Sequence, residues 1–245
     1  MLQSLREFGR KKLQNPGNDL RLDMHGHWLP GIDDGAADVS AALGMLASFS
    51  ELGYIELIAT PHIYRDYYPN TEQTIHSSFE RIRTEADKFF PHLTLGCAAE
   101  YYLDDHFESL LRAKSLLTFQ GNHVLVEQGY FAETPGVDKY LFDIQIKGYA
   151  PVLAHPERYV FYHQNNKKIA FMRELGIKMQ INLLSLTGTY GPVVASKAME
   201  YLEKGWVDFI GTDAHTQEDI QLCREIRLTT KAYDAWLKIS GKTTF

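Results

Sequence analysis

The residues best suited to chemistry in this chain are histidines and carboxylates at the ends of short apolar segments. The first such segment closes with Asp23-Met24-His25-Gly26-His27. Side chains two residues apart on a strand point to the same face, so the two imidazoles arrive with similar orientations. That geometry suits a pair of metal ligands. A histidine pair alone is equally compatible with a polar core whose hydrogen bonds are satisfied.

Later apolar segments also end in a histidine or a carboxylate, and this repetition is stronger evidence than the first pair alone. The further candidate ligands at or just past these ends are His62, Glu100, Glu127, His155 and Asp213. Asp33 and Asp34 lie in a turn-rich loop that returns carboxylates toward the same region, and either one could reach a metal or only hold the loop. This joint placement predicts a multinuclear metal site built from strand ends.

Short apolar stretches alternate with helical patterns along the chain. Strands are predicted at residues 20–25, 54–60, 93–99, 123–127, 150–154, 177–182 and 206–212. Helices are predicted at residues 39–52, 71–90, 138–147, 167–175, 192–204 and 217–237, with a less regular one at 104–113. Asn70, with Gln73 three residues later, is the predicted cap of the second helix. This alternation predicts parallel βαβ units.

The position of the candidate ligands chooses between two parallel architectures. An open doubly wound sheet gathers its site at one switch point. Here at least six strands contribute a residue at or just past their carboxyl ends, which is where β/α barrels keep their active sites. The sequence therefore predicts an α/β fold, a seven-stranded TIM-barrel-like β/α barrel.

Composition limits the class of protein. A chain of 245 residues with 44% hydrophobic content suits one domain, predicted at residues 19–245 after an N-terminal arm or helix at 1–18. No apolar run suits a bilayer, and the basic N-terminus lacks the apolar region of a secretory signal. Cys97 and Cys223 show no disulfide spacing, so a cytoplasmic protein without membrane insertion is predicted. The formal charge of −6 disfavours nucleic acid as a partner.

The acidity of the candidate site suggests what it would bind. Four carboxylates in one cavity would repel one another strongly when the cavity is empty: Asp34, Glu100, Glu127 and Asp213. Three divalent cations would reverse that balance and leave a site of about +2, which suits an anion such as a phosphate group. The alternative is that these acids are solvated surface charges.

At seven places, in order, the sequence resembles the polymerase and histidinol phosphatase (PHP) domain proteins. The matching motifs are Asp23-Met24-His25-Gly26-His27, Asp33-Asp34-Gly35, Thr60-Pro61-His62, Ala98-Ala99-Glu100-Tyr101-Tyr102, Leu125-Val126-Glu127, Ala154-His155-Pro156-Glu157-Arg158-Tyr159 and Thr212-Asp213-Ala214-His215. The double Asp, the Glu-Tyr-Tyr and the segment around Arg158 are most similar to the capsular and exopolysaccharide branch. Its members are manganese-dependent protein tyrosine phosphatases that act on autophosphorylated tyrosine kinases. The resemblance covers the chain from about Leu20 and implies a distorted (β/α)7 barrel.

The resemblance also implies how the ligands are shared among three ions. One ion would be held by His25, His27, Glu100 and Asp213. Glu100 would bridge to a second ion, held also by Glu127 and His155. The third would be held by Asp34, His62 and His215. Imidazole and oxygen ligands without thiolate suit Mn²⁺, Fe or Zn²⁺, and the family favours Mn²⁺.

Two arginines are candidates for contact with a substrate phosphate. Arg158 matches the arginine that does so in the capsular branch, and a guanidinium fork suits phosphate oxygens. That branch carries a second arginine just beyond its Asp-x-His motif, but residues 216–222 contain none. Arg65 is the candidate replacement, although an exposed arginine in such a loop is more often solvated. The same loop carries tyrosines that either line an aromatic-accepting mouth or pack the loop: Tyr64, Tyr67 and Tyr68.

The predicted activity is hydrolysis of phosphotyrosine by a cation-activated water, without a covalent enzyme intermediate. The predicted partner is a phosphotyrosine-bearing protein, a bacterial tyrosine autokinase that controls capsular or exopolysaccharide synthesis. A cysteine phosphatase is excluded, because the positions six residues after the two cysteines hold Leu103 and Thr229 and not the required arginine.

Other functions stay open at this point. A small-molecule phosphomonoesterase of the histidinol phosphate phosphatase type would use the same metals. A nuclease or amidohydrolase barrel also begins with His-x-His, but it lacks the paired Asp and the Thr-Pro-His, and the acidic chain disfavours nucleic acid. A non-catalytic metal-binding module is disfavoured because every ligand position is filled.

Overall fold

The computed structural model of the protein describes residues 13–14 and 21–240. The predicted arm or helix at residues 1–18 therefore lies outside the described residues, except for 13–14. Those two residues form a short strand, which pairs antiparallel with residues 228–229.

Strands and helices alternate along the described chain. The strands are β1 (Leu13–Gln14), β2 (Leu22–Asp23), β3 (Glu56–Ala59), β4 (His62–Ile63), β5 (Thr94–Cys97), β6 (Glu100–Tyr102), β7 (His123–Glu127), β8 (Ala150–Leu153), β9 (Lys178–Asn182), β10 (Phe209–Gly211) and β11 (Leu228–Thr229). The helices are α1 (Val39–Glu51), α2 (Glu72–Phe89), α3 (Asp105–Ala113), α4 (Val137–Ile146), α5 (Asn166–Glu174), α6 (Leu183–Thr187), α7 (Pro192–Glu203), α8 (Gln217–Leu222) and α9 (Thr230–Ser240).

The strands β2 to β10 form a curled parallel sheet. One part has the order β10-β9-β8-β7-β6-β4 and the other β2-β3-β5. The two parts are continuous in the chain, because two residues separate β3 from β4 and β5 from β6. An isolated parallel bridge between Gly26 and Ala214 brings the segment after β2 beside the segment after β10. The predicted α/β class is confirmed, and the carboxyl ends of these strands gather at one end of the sheet.

Successive side chains along the strands point to opposite faces of the sheet and pack into two different apolar clusters. Leu125 and Val152 belong to a smaller cluster inside the curl. Their neighbours Val124 and Leu153 belong to the larger core between the sheet and the helices. Glu127 lies two residues beyond Leu125 and therefore continues the inner face of β7. Among the described helices, none combines the length and the apolar character needed to cross a membrane.

Two predictions about helices are wrong. The single helix predicted at 217–237 is divided into α8, a 3-10 turn at Cys223–Glu225, strand β11 and α9. The division occurs where β11 pairs with β1, and Thr229 Oγ1 then accepts a hydrogen bond from the Ala232 N–H at the start of α9. The cap of α2 is Thr71 and not Asn70. Asn70 instead donates to the carbonyls of Ile32 and His62, which ties two loops of the candidate site together.

Candidate metal centre

Three strand ends place histidines and carboxylates in one buried group. Its members are His25, His27, Glu100 and Asp213. His25 Nε2 lies 3.3 Å from Glu100 Oε2 and 3.4 Å from Asp213 Oδ1. His27 Nε2 lies 3.2 Å from the same Asp213 oxygen. Four possible donor atoms from β2, β6 and β10 therefore converge on one region.

A second, more exposed group shares His27 with the first. Its members are His27, Asp34, His62 and His215. Asp34 Oδ1 lies 3.5 Å from the Nε2 atoms of both His62 and His215. The His27 and His215 rings stack with centroids 4.1 Å apart. Of the two adjacent aspartates, Asp34 is thus the one that reaches the second group.

A third group contains His62, Glu100 and Glu127. His62 Nδ1 lies 3.1 Å from both Glu100 Oε2 and Glu127 Oε1. His155 Nε2 approaches from β8, at 3.0 Å from Glu100 Oε1 and 4.0 Å from Glu127 Oε2. The structure therefore brings all nine predicted ligands into adjoining groups, with His62 between the second and the third. Their action as ligands stays a prediction.

The side chains present fit bound cations. Several buried donor and acceptor atoms in these groups lie 3.1 to 3.7 Å from one another but make no hydrogen bond among the described residues: His25 Nε2, His27 Nε2, His62 Nδ1 and Glu100 Oε2. Buried polar atoms without partners are rare and costly in folded proteins. Imidazole and carboxylate donors suit Mn²⁺, Fe and Zn²⁺. Cations between these atoms would satisfy them.

Protons and cations compete for this site. Burial alone would lower the pKa of His25, but the Glu100 and Asp213 carboxylates raise it to about 9. Burial also opposes protonation of His215, whereas Asp34 and Asp213 raise its pKa to about 9. The pKa values of Glu100 and Asp213 are held well below their usual range, because the histidines outweigh burial. A cation must therefore displace protons from the same nitrogen atoms.

Asp33 supports the ligands and does not join the groups of candidate donors. Its Oδ2 atom lies 2.9 Å from His27 Nδ1, so the other ring nitrogen of His27 faces the first group. Its Oδ1 atom accepts a hydrogen bond from the Gly35 N–H at 3.0 Å. A methyl group at position 35 would overlap the His27 carbonyl oxygen. In the Asp33-Asp34-Gly35 motif, Asp33 thus supports His27, Asp34 is the candidate ligand, and Gly35 allows the close approach of the loop to the His27 carbonyl.

Several polar residues around the site were missed by the sequence analysis. Asp23 is buried and accepts hydrogen bonds from the Thr212 N–H at 2.7 Å and the Thr212 hydroxyl at 2.8 Å, which connects β2 with β10. Burial raises the pKa of Asp23 to about 7. Gln180 and Asn182 lie buried on β9. The sequence signal for the two amides is their alternation with Met179 and Ile181, which marks a polar inner face.

Two candidate ligands have unusual backbone conformations. His155 has φ of +35° and Asp213 has φ of +53°, in the left-handed region that residues with a side chain seldom adopt. The Asp213 N–H donates to the His25 carbonyl at 2.8 Å, which helps to hold that conformation. Such strain collects at functional sites, where the surrounding structure enforces it.

Arg158 lies beside the first group. Its Nη1 atom donates to Asp213 Oδ2 at 2.8 Å. The guanidinium carbon lies 4.4 Å from the centre of the Tyr130 ring and 4.1 Å from that of Tyr190. Burial opposes the charge, but Asp213 and the neighbouring groups raise the pKa of Arg158 above its ordinary value. Arg158 therefore stays charged and lies next to the candidate metal centre, in contact with one carboxylate and two tyrosine rings.

A 310 Å³ pocket opens beside the second and third groups. Candidate ligands line it, namely Asp34, His62 and Glu127, together with five tyrosines: Tyr64, Tyr67, Tyr68, Tyr102 and Tyr130. The three tyrosines of the loop after His62 thus do line an aromatic mouth. Arg65 is exposed in the turn between Tyr64 and Tyr68 and is not part of the pocket lining. Its predicted contact with phosphate stays a prediction.

Parallel strands whose carboxyl ends share a buried histidine and carboxylate cluster define an α/β protein built around a candidate multinuclear metal centre. The chain belongs to the capsular polysaccharide synthesis family CpsB/CapC, whose family model matches residues 21–234. The resemblance found in the motifs is thereby confirmed.

The chain is similar to proteins of known activity and structure. Tyrosine-protein phosphatase YwqE of Bacillus subtilis is 29% identical over 195 residues, which cover 79% of this chain and 77% of YwqE. The putative tyrosine-protein phosphatase CapC of Staphylococcus aureus is 24% identical over 80% of this chain and 77% of CapC. A solved chain from the crystal structures of YwqE and of Streptococcus pneumoniae CpsB, described as metal-dependent tyrosine phosphatases, superposes with a TM-score of 0.76. That match has 25% identity and covers 91% of this chain and 96% of the solved one.

Proposed function

We propose that this protein is a metal-dependent protein tyrosine phosphatase. The observation that carries the proposal is the pocket in which candidate ligands and five tyrosines share one lining. A phosphotyrosine side chain has a charged end and an aromatic ring, and this lining offers a counterpart to each. The names of the relatives, which are tyrosine-protein phosphatases, support the same activity.

The proposed metal centre uses the nine side chains that gather at the strand ends. They are His25, His27, Asp34, His62, Glu100, Glu127, His155, Asp213 and His215. Three Mn²⁺ ions match the three groups, and Fe or Zn²⁺ would also suit these donors. When bound, such ions lower the pKa of a water toward neutrality and balance charge on phosphoryl oxygens. The buried acceptor and donor atoms without partners support this assignment.

Arg158 is the proposed phosphate contact from the protein itself. One guanidinium nitrogen donates to Asp213, and the guanidinium lies against the Tyr130 and Tyr190 rings. The remaining donors of the fork are then available to phosphate oxygens in a fixed direction. Arg65 is the proposed second charge, in the turn whose tyrosines line the pocket.

The tyrosines of the pocket would select the leaving group. Tyr64 and Tyr102 stack with centroids 4.0 Å apart, and the Tyr68 ring stacks on His62 at 5.3 Å. Aromatic rings in this arrangement bind another ring by stacking or edge contacts. A phenol also has a pKa of about 10, so it leaves more easily than an alcohol such as serine. Both effects favour aryl over alkyl phosphates.

The deciding experiment is phosphate release from a phosphotyrosyl peptide. Protein stripped with a chelator is assayed before and after Mn²⁺ is restored, with the matching phosphoseryl peptide and histidinol phosphate as competing substrates. We expect release only after Mn²⁺ returns, and turnover that is fastest on phosphotyrosine. Faster turnover of histidinol phosphate would instead indicate a small-molecule phosphomonoesterase. Metal uptake without hydrolysis of any of the three would indicate a non-catalytic metal-binding module.

The biological setting forms the rest of the proposal. The partner is a phosphotyrosine-bearing protein, a tyrosine autokinase of capsular or exopolysaccharide synthesis, which the family's link to capsule synthesis supports. The location is the cytoplasm, which the free Cys97 and Cys223 support. We further propose that residues 19–245 form one distorted (β/α)7 barrel. The continuity of β3 with β4 and of β5 with β6, together with the Gly26–Ala214 bridge, supports seven strand positions.

A further inference from the structure

Strand β9 supplies no candidate ligand, yet its inner face carries two buried amides. Gln180 and Asn182 are fully buried. They alternate with Met179 and Ile181, which pack in the outer apolar core. Burying an amide is unfavourable unless its hydrogen bonds are satisfied. The partners of these two amides therefore indicate why they are on this strand.

Gln180 contacts two candidate ligands with one oxygen. Its Oε1 atom lies 3.0 Å from His25 Nδ1 and accepts a hydrogen bond from the His155 N–H at 3.3 Å. An acceptor at Nδ1 selects the His25 tautomer with its proton on that nitrogen. The other ring nitrogen, Nε2, then faces the first group of donors, where it lies 3.3 Å from Glu100 Oε2.

Asn182 extends the same network to a third candidate ligand. Gln180 Nε2 donates to Asn182 Oδ1 at 2.9 Å. Asn182 Nδ2 in turn donates to Asp213 Oδ2 at 2.6 Å. Two neutral side chains on one strand thus connect ligands that follow β2, β8 and β10. They add no charge to a site already crowded with carboxylates.

We infer that Gln180, acting with Asn182, is a positioning residue that orients His25, His155 and Asp213 for cation binding. The inference rests on the metal centre of the proposed function. Residues that orient metal ligands through hydrogen bonds change metal affinity when they are replaced, although they never touch the ion. Metal affinity therefore tests this role independently of catalysis.

The test is Gln180→Leu, which keeps a similar volume and removes the acceptor for His25. We expect Mn²⁺ affinity to fall about 10- to 100-fold, measured by competition with a chromophoric chelator. Absorption spectra of the Co²⁺-loaded protein provide a second readout, because a reoriented His25 changes the ligand field. Gln180→Glu keeps an acceptor oxygen at the same reach, so its loss of affinity should be smaller. Gln180→Met, which also lacks the acceptor, is the test variant if the leucine variant does not fold.

Gln145→Leu is the control. Gln145 is a glutamine of α4 whose side chain donates to the Leu175 carbonyl at 2.8 Å and contacts no candidate ligand. It should keep wild-type Mn²⁺ affinity and an unchanged Co²⁺ spectrum. Wild-type affinity in Gln180→Leu, or an equal loss in Gln145→Leu, would overturn the positioning role alone. A wild-type chain that takes up no cation would overturn the proposed metal centre and this inference together.

Discussion

Asp213 is the residue on which most interactions of the candidate centre meet. One carboxylate oxygen lies within 3.4 Å of both His25 and His27. The other accepts hydrogen bonds from Arg158 and Asn182. Its backbone is held at a positive φ. Both oxygens of this carboxylate are therefore in contact with other residues of the site, and its removal should affect several of them at once.

We therefore expect Asp213→Ala to lose bound metal and activity together. Bound Mn²⁺ after gel filtration should fall, and turnover of a phosphotyrosyl peptide should drop by more than about 100-fold. His155→Ala should behave in the same way. His92→Ala is the control, since His92 bonds Ser50 on the surface, and it should retain both properties. An active and fully metallated Asp213→Ala protein would contradict the ligand assignment.

Arg158 should affect substrate more than metal. Arg158→Lys keeps one positive charge but loses the planar fork and its stacking between Tyr130 and Tyr190. We expect kcat/KM for a phosphotyrosyl peptide to fall about 100-fold, comparable to the loss of one donor to a developing negative charge. Mn²⁺ content should stay at the wild-type level. Loss of metal from this variant would instead show that Arg158 mainly supports Asp213.

At the scale of residues, the sequence predicted side chains that follow a local rule. The nine candidate ligands each stand at or near the end of an apolar segment, so short motifs reveal them. Nothing local reveals the roles of Asp23, Gln180 and Asn182, because the residues that they contact on other strands are 25 to 189 residues away in the chain. Only folding brings such partners together. Tyr190 was missed for the same reason, because its role depends on the position of Arg158.

At the scale of elements, the loop after β2 is closely packed against the strand end that it follows. The Ala36 N–H donates to the His27 carbonyl at 2.9 Å, which folds the loop back onto the strand end. Asp33 reaches His27 and the His62 N–H from the same turn. The close return leaves no space for a side chain at Gly35. The loop thus determines where both Asp34 and His27 lie.

Gly35→Ala should therefore destabilise the protein and weaken metal binding. Overpacking of this kind costs about 1–3 kcal/mol, because the backbone must move. Urea unfolding of the chelated protein gives the stability, and chelator competition gives the affinity for Mn²⁺. Gly96→Ala is the matched control, since its new methyl group would meet Ile58 at an ordinary 3.9 Å. Equal behaviour of the two variants would show that the loop adjusts without cost.

The errors in predicting elements also have physical causes. Residues 217–237 have a helical pattern, but pairing of β11 with β1 interrupts it, and β1 is more than 200 residues away in the chain. Asn is a residue type that often caps helices, but the Asn70 amide instead donates hydrogen bonds to two carbonyls of the site loops. Each of the seven predicted strand segments contains a strand, because buried parallel strands are short, apolar and flanked by turns. The short strands β4, β6 and β11 were not predicted, since two or three residues carry no apolar pattern of their own.

At the scale of the whole molecule, the site concentrates negative charge that the fold must balance. In protein freed of metal by a chelator, called the chelated protein below, the balancing charges include protons on His25 and His215, whose pKa values are raised to about 9. Asp23 adds to this pattern, because burial raises its pKa to about 7. The folded chain therefore holds more protons than the unfolded chain above the ordinary pKa values of these groups.

The sign of the pH dependence follows from those shifts. A histidine with a raised pKa stabilises the fold fully below about pH 6.5 and loses that contribution as pH rises through about 9. The Asp23 shift acts in the same direction at lower pH. We therefore expect the urea midpoint of the chelated protein to fall between pH 6.5 and 9.5. With saturating Mn²⁺ the trend should reverse over the lower part of this range, because cations need unprotonated nitrogen atoms. His215→Asn should reduce this fall of the urea midpoint in the chelated protein. A midpoint that rises with pH in the presence of chelator would contradict the claim that protons balance the carboxylates of the site.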